Sequence, residues 1–576
     1  MLGKFSRILF YRAGCLALLF VQLLSPVSGA ASPAPGAEQN QQIEQQQQRE
    51  ELIRKNRQQA EERQQHQQQS DVFLQQQMKA DTDESLPEEA IAFPIKNIQL
   101  TGERVKHFNW IQKMLKHYEG RRIGKESISV IVKRITKALV DRGYITTRIM
   151  VPEQELSNGT LRLVLIPGTI RQIAIDQHPE LSSWKPAFPV SPGDILNLRD
   201  LEQGLEQMKR IPSQDVTLKL VPGNKAGESD VIITLKQKRP WKLILSVDDS
   251  GSKTTGRMQS MQTLSMDNLL GVNDLFSFSN NHDADFKEDM HGTQGYSFKY
   301  SVPQGYWTYS FSHSYYDYHQ TVVGSSSNYV YSGDSDTSEF SIERLIDRNQ
   351  TSKTTLQGKL IKKHSKSYLD DTEIEVQSKD TTAAELGVSR RKYYGKAVWD
   401  IDLDYRMGTP WFGAQAETDS GSSASTTRYH IWTLSSSFVK PIKIGHADAR
   451  YTCNIRGQFT NDSLYTIDCF SIGNRYTVRG FDGEQTLTGE NGWFIQNEVS
   501  MPLAVGSELY AGIDYGKVGG PKAGELLGTE LAGAVFGIRG TLNQLSYDVF
   551  AGWPIYKPDG YETAPTTYGF QVTYQI

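Results

Sequence analysis

Between Trp307 and Tyr315 large and small side chains alternate without a break: Trp307, Tyr309, Phe311, His313 and Tyr315 are separated by Thr308, Ser310, Ser312 and Ser314. Successive side chains of a strand leave opposite faces, so a period of two predicts strands with one aromatic face and one hydroxyl-bearing face. The pattern begins at Trp241, Leu243, Leu245 and Val247. It also ends the chain, where Tyr568, Phe570, Val572, Tyr574 and Ile576 alternate with Gly569, Gln571, Thr573 and Gln575. Aromatic stripes at strand ends favour membrane girdles over the interior of a soluble sandwich. The 336 residues from Trp241 to Ile576 allow 21 per strand and connection for sixteen strands. That fits membrane strands of about 9 to 11 residues with short turns and longer loops.

Ahead of this region the period changes. Ile131, Ile135 and Leu139 recur every four residues, with Val132 alongside and Gly143 where a helix C-terminal cap is expected. Leu161, Leu163 and Leu165 then alternate as a strand. A second round places Leu198, Leu201, Leu205 and Met208 on a helix and Val231 to Leu235 on a closing strand. Two small α+β domains are therefore expected, over 91–168 and 169–239, before a barrel over 240–576.

The segment from Gln39 to Met78 holds 17 glutamines among 40 residues, without Gly or Pro. It has too few apolar positions to build a core. It reads either as unstructured low complexity or as a helix that is polar all round. A water-filled barrel lumen is one setting in which such a helix persists. About 25 helical residues would span roughly 38 Å, enough to thread a barrel. Residues 31–90 are accordingly expected to be a plug helix and its linker.

At 576 residues, 38% hydrophobic, the chain is large enough for several domains and too polar for a helical membrane bundle. A net charge of -4, with no long basic block, argues against a nucleic-acid partner. Lys4, Arg7 and Arg12 precede the apolar run Ala13 to Leu24, and Ser28-Gly29-Ala30 follows. That order predicts an export signal over 1–30. Export makes a disulfide between Cys453 and Cys469 a natural suspicion. Against it, Cys453 shares strand parity with the apolar set Tyr451, Ile455 and Phe459, so the pairing stays open.

One loop and one strand carry the most specific signal. Val478-Arg479-Gly480-Phe481 resembles the V-R-G-F/Y loop motif of outer-membrane translocases and insertases with periplasmic POTRA domains. Tyr510, Gly512 and Asp514 resemble the strand motif that receives that arginine. An arginine carried into a low-dielectric interior needs a partner, and Asp514 is placed to be one. Further likenesses occur in order along the chain. Gly143-Tyr144, Val151-Pro152-Glu153-Gln154 and Gly159-Thr160-Leu161 resemble the first POTRA domain of the two-partner secretion transporters, the TpsB family. Leu198-Arg199-Asp200-Leu201-Glu202-Gln203, Arg210-Ile211-Pro212-Ser213 and Gly227-Glu228-Ser229-Asp230 resemble the second. Ile211 stands where that family usually has leucine. Met266-Asp267-Asn268-Leu269-Leu270-Gly271 and Val302-Pro303-x-Gly305-x-Trp307 extend the resemblance into the barrel.

The resemblance implies a membrane all-β fold: a 16-stranded transmembrane β-barrel, two periplasmic α+β POTRA domains and an N-terminal lumen helix. The strand count rests partly on it. It implies an outer-membrane translocator that recognises a large β-helical exoprotein, such as an adhesin, a haemolysin or a contact-dependent growth-inhibition toxin. The exoprotein's N-terminal secretion domain would dock on the POTRA pair, and the chain would pass unfolded through the barrel. Outer-membrane lipid and, during biogenesis, the barrel-assembly machinery are the other expected partners. A barrel-assembly insertase is the alternative, although insertases usually carry more POTRA domains. A diffusion porin would not need residues 93–238. Gly120 to Lys125 has the wrong spacing for a nucleotide loop, no H-E-x-x-H occurs, and no nucleophile sits in a strand-turn-helix context. The expectation is therefore no enzyme, no catalytic residue, no metal and no cofactor.

Overall fold

The computed structural model describes residues 51–61, 71–74, 85–176, 182–284, 291–323, 328–417, 425–503, 506–521 and 523–576. The export signal expected over 1–30 lies outside them, as do both flanks of the helix expected in the glutamine-rich tract and most of its tether.

Helix α1 covers 51–61. In the first α+β unit, Asn97–Gly102 runs parallel to Thr160–Ile166, which pairs antiparallel with Arg148–Met150. Helix α2 (Asn109–Leu115) and helix α3 (Lys125–Asp141) cover one face of this sheet. Ile131, Ile135 and Leu139 are fully buried there, each contributing up to about 1.5 to 3 kcal/mol of transfer free energy. Glu89, from outside the helix, caps its N-terminus by accepting from the amides of Glu126 at 2.8 Å and Ser127 at 2.7 Å. Gly143, at φ 92°, ends the chain's helical path, and the amide of Tyr144 donates back to Leu139 at 2.9 Å.

The second unit repeats the plan. Thr169–Ile175 lies parallel to Glu228–Gln237, which pairs antiparallel with Gln214–Pro222. Helix α4 (Leu198–Lys209) is capped by Asn197, whose side chain accepts from the Arg199 amide at 2.9 Å. Leu198, Leu201, Leu205 and Met208 are buried against the sheet.

Sixteen spanning strands then form one closed antiparallel barrel. The first, Trp241–Asp248, meets the last, Thr567–Gln575, through the register Asp248↔Gln571 to Ile244↔Gln575. Alternation decides the two faces. Leu245, Leu264, Phe340, Leu386, Ile513 and Phe536 are exposed outward, while Ser246, Ser301, Glu385, Gln496 and Asp514 are buried inward. A continuous outer belt of large apolar side chains requires lipid, because soluble surfaces rarely expose patches above a few hundred Å².

The chain enters the barrel directly from the second unit, so the short turns at Gly305, 349–351 and 395–396 face the α+β units. That unit is seated on them. The Gly305 amide donates to the Pro186 carbonyl at 2.8 Å, Arg210 donates to Ser301 at 2.7 Å, and the Ser213 amide donates to Asp267 at 2.8 Å. Tyr306 donates its hydroxyl to Asp200 of α4. Burial pushes the Asp200 carboxyl up, and this hydroxyl bond opposes the shift.

Neither Cys453 nor Cys469 forms a disulfide. Cys453 sits mid-strand in Ala447–Phe459, and Cys469 is buried at the start of the segment that re-enters the lumen.

Candidate functional site

The chain between strands Ala447–Phe459 and Asn491–Pro502 does not remain outside the barrel. Phe470–Ile472 and Leu487–Gly489 pair as a short hairpin, and the residues between them fold inward. The reason is apolar: Ile472, Val478, Phe481 and Leu487 bury themselves against Phe494, Leu531 and Tyr561. Phe481 meets Tyr561 edge to face with ring centres 5.8 Å apart.

This packing delivers Arg479 to the wall. Its Nε donates to Asp514 Oδ2 at 2.7 Å, its Nη2 to Asp514 Oδ1 at 2.9 Å, and its own backbone amide also to Oδ2 at 2.9 Å. Nη1 reaches a second acid, Glu498 Oε2, at 2.5 Å. The Asp514 side chain has no exposed surface, and that of Arg479 keeps 14%. A planar guanidinium with a fixed fork suits two carboxylates at once, which a lysine ammonium does not.

The loop approaches the wall closely because the wall carries glycine at the contact points. Gly480 has φ 105°, and a Cβ there would lie 2.4 Å from the Trp553 carbonyl oxygen. At Gly533 a Cβ would lie 1.9 Å from the Arg479 carbonyl oxygen, and at Gly512 it would lie 2.6 Å from Arg479 Nη2. Tyr510, one turn of the pleat below Gly512, donates to Asp548 at 2.8 Å and lies under Arg539 at 4.5 Å.

The charges do not stop at Asp514. Glu498 Oε1 accepts from Arg539 at 2.7 Å, Arg539 Nε donates to Glu508 at 2.5 Å, and Arg450 donates to Glu508 at 2.8 Å. Three arginines alternate with three acids from mid-lumen to the end nearest the α+β units. The set is neutral as a whole, which permits burial of its inner members; removal of Arg479 leaves Asp514 as an uncompensated buried charge, whereas Arg450 at the rim is exposed.

Helix α1 lies in the same lumen. Arg54 donates to Ser335 at 2.8 Å, Lys363 pairs with Glu51 at 3.1 Å, Arg57 pairs with Asp248 at 3.1 Å, and Arg456 donates to Gln59. These partners come from four strands spread around the barrel. The helix also touches the loop: Asn56 donates to Ser471 at 2.9 Å, and Lys55 reaches the carbonyls of Ile467 and Cys469 at 3.3 and 3.4 Å. A neutral contact such as that of Asn56 is worth about 1 kcal/mol net and one to a charged group about 1.5 to 3 kcal/mol, so α1 is seated by many separable polar bonds around one buried Leu52.

Val478, Arg479, Gly480, Phe481, Tyr510, Gly512 and Asp514 thus meet at one wall of the lumen. Glu498, Arg539 and Gly533 belong to the same assembly and were not singled out by sequence. Their signal is weak, since an inward-facing acid, arginine or glycine on a barrel strand resembles any other lumen position.

Known proteins carry the same architecture. The family model described as haemolysin secretion/activation protein ShlB/FhaC/HecB matches residues 227–540. A ShlB-type POTRA domain model matches 93–168, and a further POTRA domain model matches 169–222. The outer membrane transporter CdiB-2 of Burkholderia pseudomallei (strain 1026b) is 41% identical over 81% of this chain and 81% of its own length. The outer membrane transporter CdiB of Dickeya dadantii (strain 3937) is 32% identical over 78% and 80%. The solved structure of CdiB from Acinetobacter baumannii superimposes with a TM-score of 0.82 at 30% identity, covering 95% of this chain and all of that one.

Proposed function

The chain belongs to the ShlB/FhaC/HecB family of haemolysin secretion/activation proteins, and from that membership and the lumen geometry we infer how it works as an outer-membrane translocator. The barrel crosses the outer membrane and the POTRA domains stand in the periplasm. The exported partner is a large exoprotein; the likeness to CdiB transporters favours a contact-dependent growth-inhibition toxin over a haemolysin or an adhesin.

The exoprotein's N-terminal secretion domain docks on the POTRA pair, where a sheet edge receives an extended segment through backbone bonds and apolar pockets. Helix α1 plugs the resting pore and leaves when substrate engages. The loop carrying Arg479 stays anchored to Asp514 and Glu498 and keeps the wall in a conducting arrangement. The periplasm supplies no nucleotide, so folding of the exported chain outside prevents its return and makes transport directional. The protein acts as a transporter and not as an enzyme, with lipid around its belt and the barrel-assembly machinery as a partner only during biogenesis.

One observation carries this reading: the pore is filled by a polar helix that its walls hold through separable contacts, so the block is removable. The experiment compares secretion of an exoprotein N-terminal fragment into the medium by wild type, Arg479→Ala and a deletion of residues 93–238, with outer-membrane levels matched. Wild type is expected to export while both variants insert and fail. An exporter that works without residues 93–238 would sink the docking role, and depletion of other barrels in its absence would favour an insertase instead.

A further inference from the structure

Residues 71–74 occupy a position unlike the rest of the described N-terminal segment. Asp71-Val72-Phe73-Leu74 lies between α4 of the second POTRA domain and the periplasmic end of the barrel, and it is bonded to both. On the barrel side, Asp71 receives Lys353 at 2.6 Å and the Tyr393 hydroxyl at 2.7 Å, with Arg391 at 3.8 Å. Arg348 donates to the Val72 carbonyl at 2.5 Å, and the Phe73 ring meets Tyr393 edge to face at 5.1 Å. On the POTRA side, the Val72 amide donates to Glu206 at 3.3 Å and the Leu74 amide to Glu202 at 2.8 Å. Val72 itself is buried in the POTRA core beside Leu201 and Leu205.

The two sides are also tied to each other. Arg348 pairs with Glu206 at 2.9 Å, and Lys353 pairs with Glu206 as well as with Asp71. A shift of the POTRA domain against the barrel therefore separates Glu202 and Glu206 from Arg348 and Lys353, and it splits the contacts of 71–74 in the same movement. The Glu202 side chain has no exposed surface and that of Arg348 keeps 3%, so splitting this set leaves buried charge without its partner, which is strongly unfavourable.

Nine residues separate α1 from Asp71, so while 71–74 stay seated α1 remains within about 36 Å of them. The attachment thus bounds how far α1 can travel from the periplasmic end of the barrel. We propose that residues 71–74 are a clasp that couples the seating of the second POTRA domain on the barrel to the seating of α1 in the lumen, so that displacing the domain releases the plug. The clasp rests on the reading of α1 as a removable plug. It adds the link through which engagement of the POTRA pair reaches the pore, a rigid-body shift acting on a two-state contact.

Single-channel recording of the purified full-length protein in planar bilayers tests it. Deletion of 51–61 serves as the control for the plug. Asp71→Asn and Glu206→Gln each remove one charge from the clasp, on opposite bodies, and heat-modified gel mobility verifies a folded barrel. Both are expected to raise the frequency of resting openings about tenfold, and the double variant is expected to exceed either single one by much less than their product, since both break one contact set. If deletion of 51–61 opens the pore while neither substitution does, the clasp is wrong and the plug stands. If Asp71→Asn opens the pore and Glu206→Gln does not, the tether matters but the coupling to the POTRA domain is wrong. If deletion of 51–61 leaves the pore closed, the plug reading falls and takes the clasp with it.

Discussion

Asp248 and Asp249 are neighbours at the outer end of the first barrel strand, yet each holds a different occupant of the lumen: Asp248 takes Arg57 of α1 at 3.1 Å, and Asp249 takes Arg475 of the inward loop at 2.5 Å. Strand Trp241–Asp248 is also the one that closes the barrel against the last strand. Plug, loop and seam therefore share one anchoring point. Their contacts are separable there, because the two carboxylates serve different guanidinium groups.

That separation predicts different phenotypes for two adjacent substitutions. Asp248→Asn weakens the seat of α1 while Arg57 keeps Glu61 at 2.9 Å, so resting openings in planar bilayers should rise several-fold with secretion retained. Asp249→Asn leaves Arg475 buried beside Phe550 without its carboxylate, so secretion should fall while resting openings change little. Identical behaviour of the two variants in both assays would show that helix and loop are not independently held.

Arg479→Ala leaves Asp514 fully buried without its cation, while Glu498 keeps only Arg539. Removing one partner of a buried pair costs roughly 3 to 5 kcal/mol, enough to shift docked against undocked loop by about 10² to 10⁴. Secretion should be lost with the barrel still inserted. Arg479→Lys is the sharper test, since one ammonium cannot satisfy both oxygens of Asp514 and reach Glu498. Secretion near wild-type level by Arg479→Lys, measured in the medium at matched outer-membrane levels, would show that the fork geometry is unimportant.

Close approach of loop to wall gives a prediction that involves no charge. Gly533→Ala places a methyl group 1.9 Å from the Arg479 carbonyl oxygen, with backbone on both sides, so the loop has to move. Overpacking of this kind costs about 1 to 3 kcal/mol. The variant should insert normally yet expose the loop around Arg479 to added protease, and it should secrete poorly. Gly519→Ala, where a Cβ meets no atom within 4 Å, serves as the neutral comparison. Equal protease resistance of the two variants would remove steric fit as the reason for glycine.

Much of this architecture is legible in the chain because periodicity exposes it. Trp307 to Tyr315 declares its two faces, and Ile131, Ile135 and Leu139 declare a helix with one buried stripe. Arg479 and Asp514 are legible for another reason, a motif on each side of the pairing. Glu498 and Arg539 are not: their role depends on which strands become neighbours in the closed barrel, and a polar residue facing water and one facing a buried arginine occupy the same parity. Asp71 to Leu74 were hidden more deeply. The three apolar residues Val72, Phe73 and Leu74, inside a glutamine-rich tract, form no stripe of their own, because Val72 completes a core belonging to α4, more than a hundred residues away.

The clasp has a definite pH dependence. Burial alone would raise the Asp71 carboxyl, but Lys353, the Tyr393 hydroxyl and Arg391 outweigh it and hold it below the usual carboxylate range. Glu206 also faces Lys353, and Asp400 faces Arg391 at 2.6 Å, so both cations are shared. A lowered pKa in the seated state means the stabilisation is fully present above the unseated value of about 4 and is lost as pH falls through the lowered one. Resting openings should stay flat from about pH 8 to 5 and rise only below about 4. The Asp71→Asn protein should open often throughout and lack that added step; a step of wild-type size in this variant would assign it to another carboxylate.

Cys469 offers a reporter of plug movement that leaves every charge in place. Its side chain is buried where the re-entrant segment begins, and its carbonyl accepts from Lys55 of α1 at 3.4 Å. Withdrawal of α1 removes Lys55 from the carbonyls of Ile467 and Cys469 and opens this turn to the lumen, whereas rearrangement of the Arg479 loop alone leaves those contacts in place. With Cys453→Ser to remove the second thiol, a water-soluble maleimide should label Cys469 slowly in resting protein and at least tenfold faster after deletion of 51–61. An exoprotein N-terminal fragment added from the POTRA side should accelerate labelling of the otherwise intact chain, and Asp71→Asn should do so without the fragment. If the fragment is exported while labelling stays slow, transport proceeds with α1 in place and the removable plug is excluded.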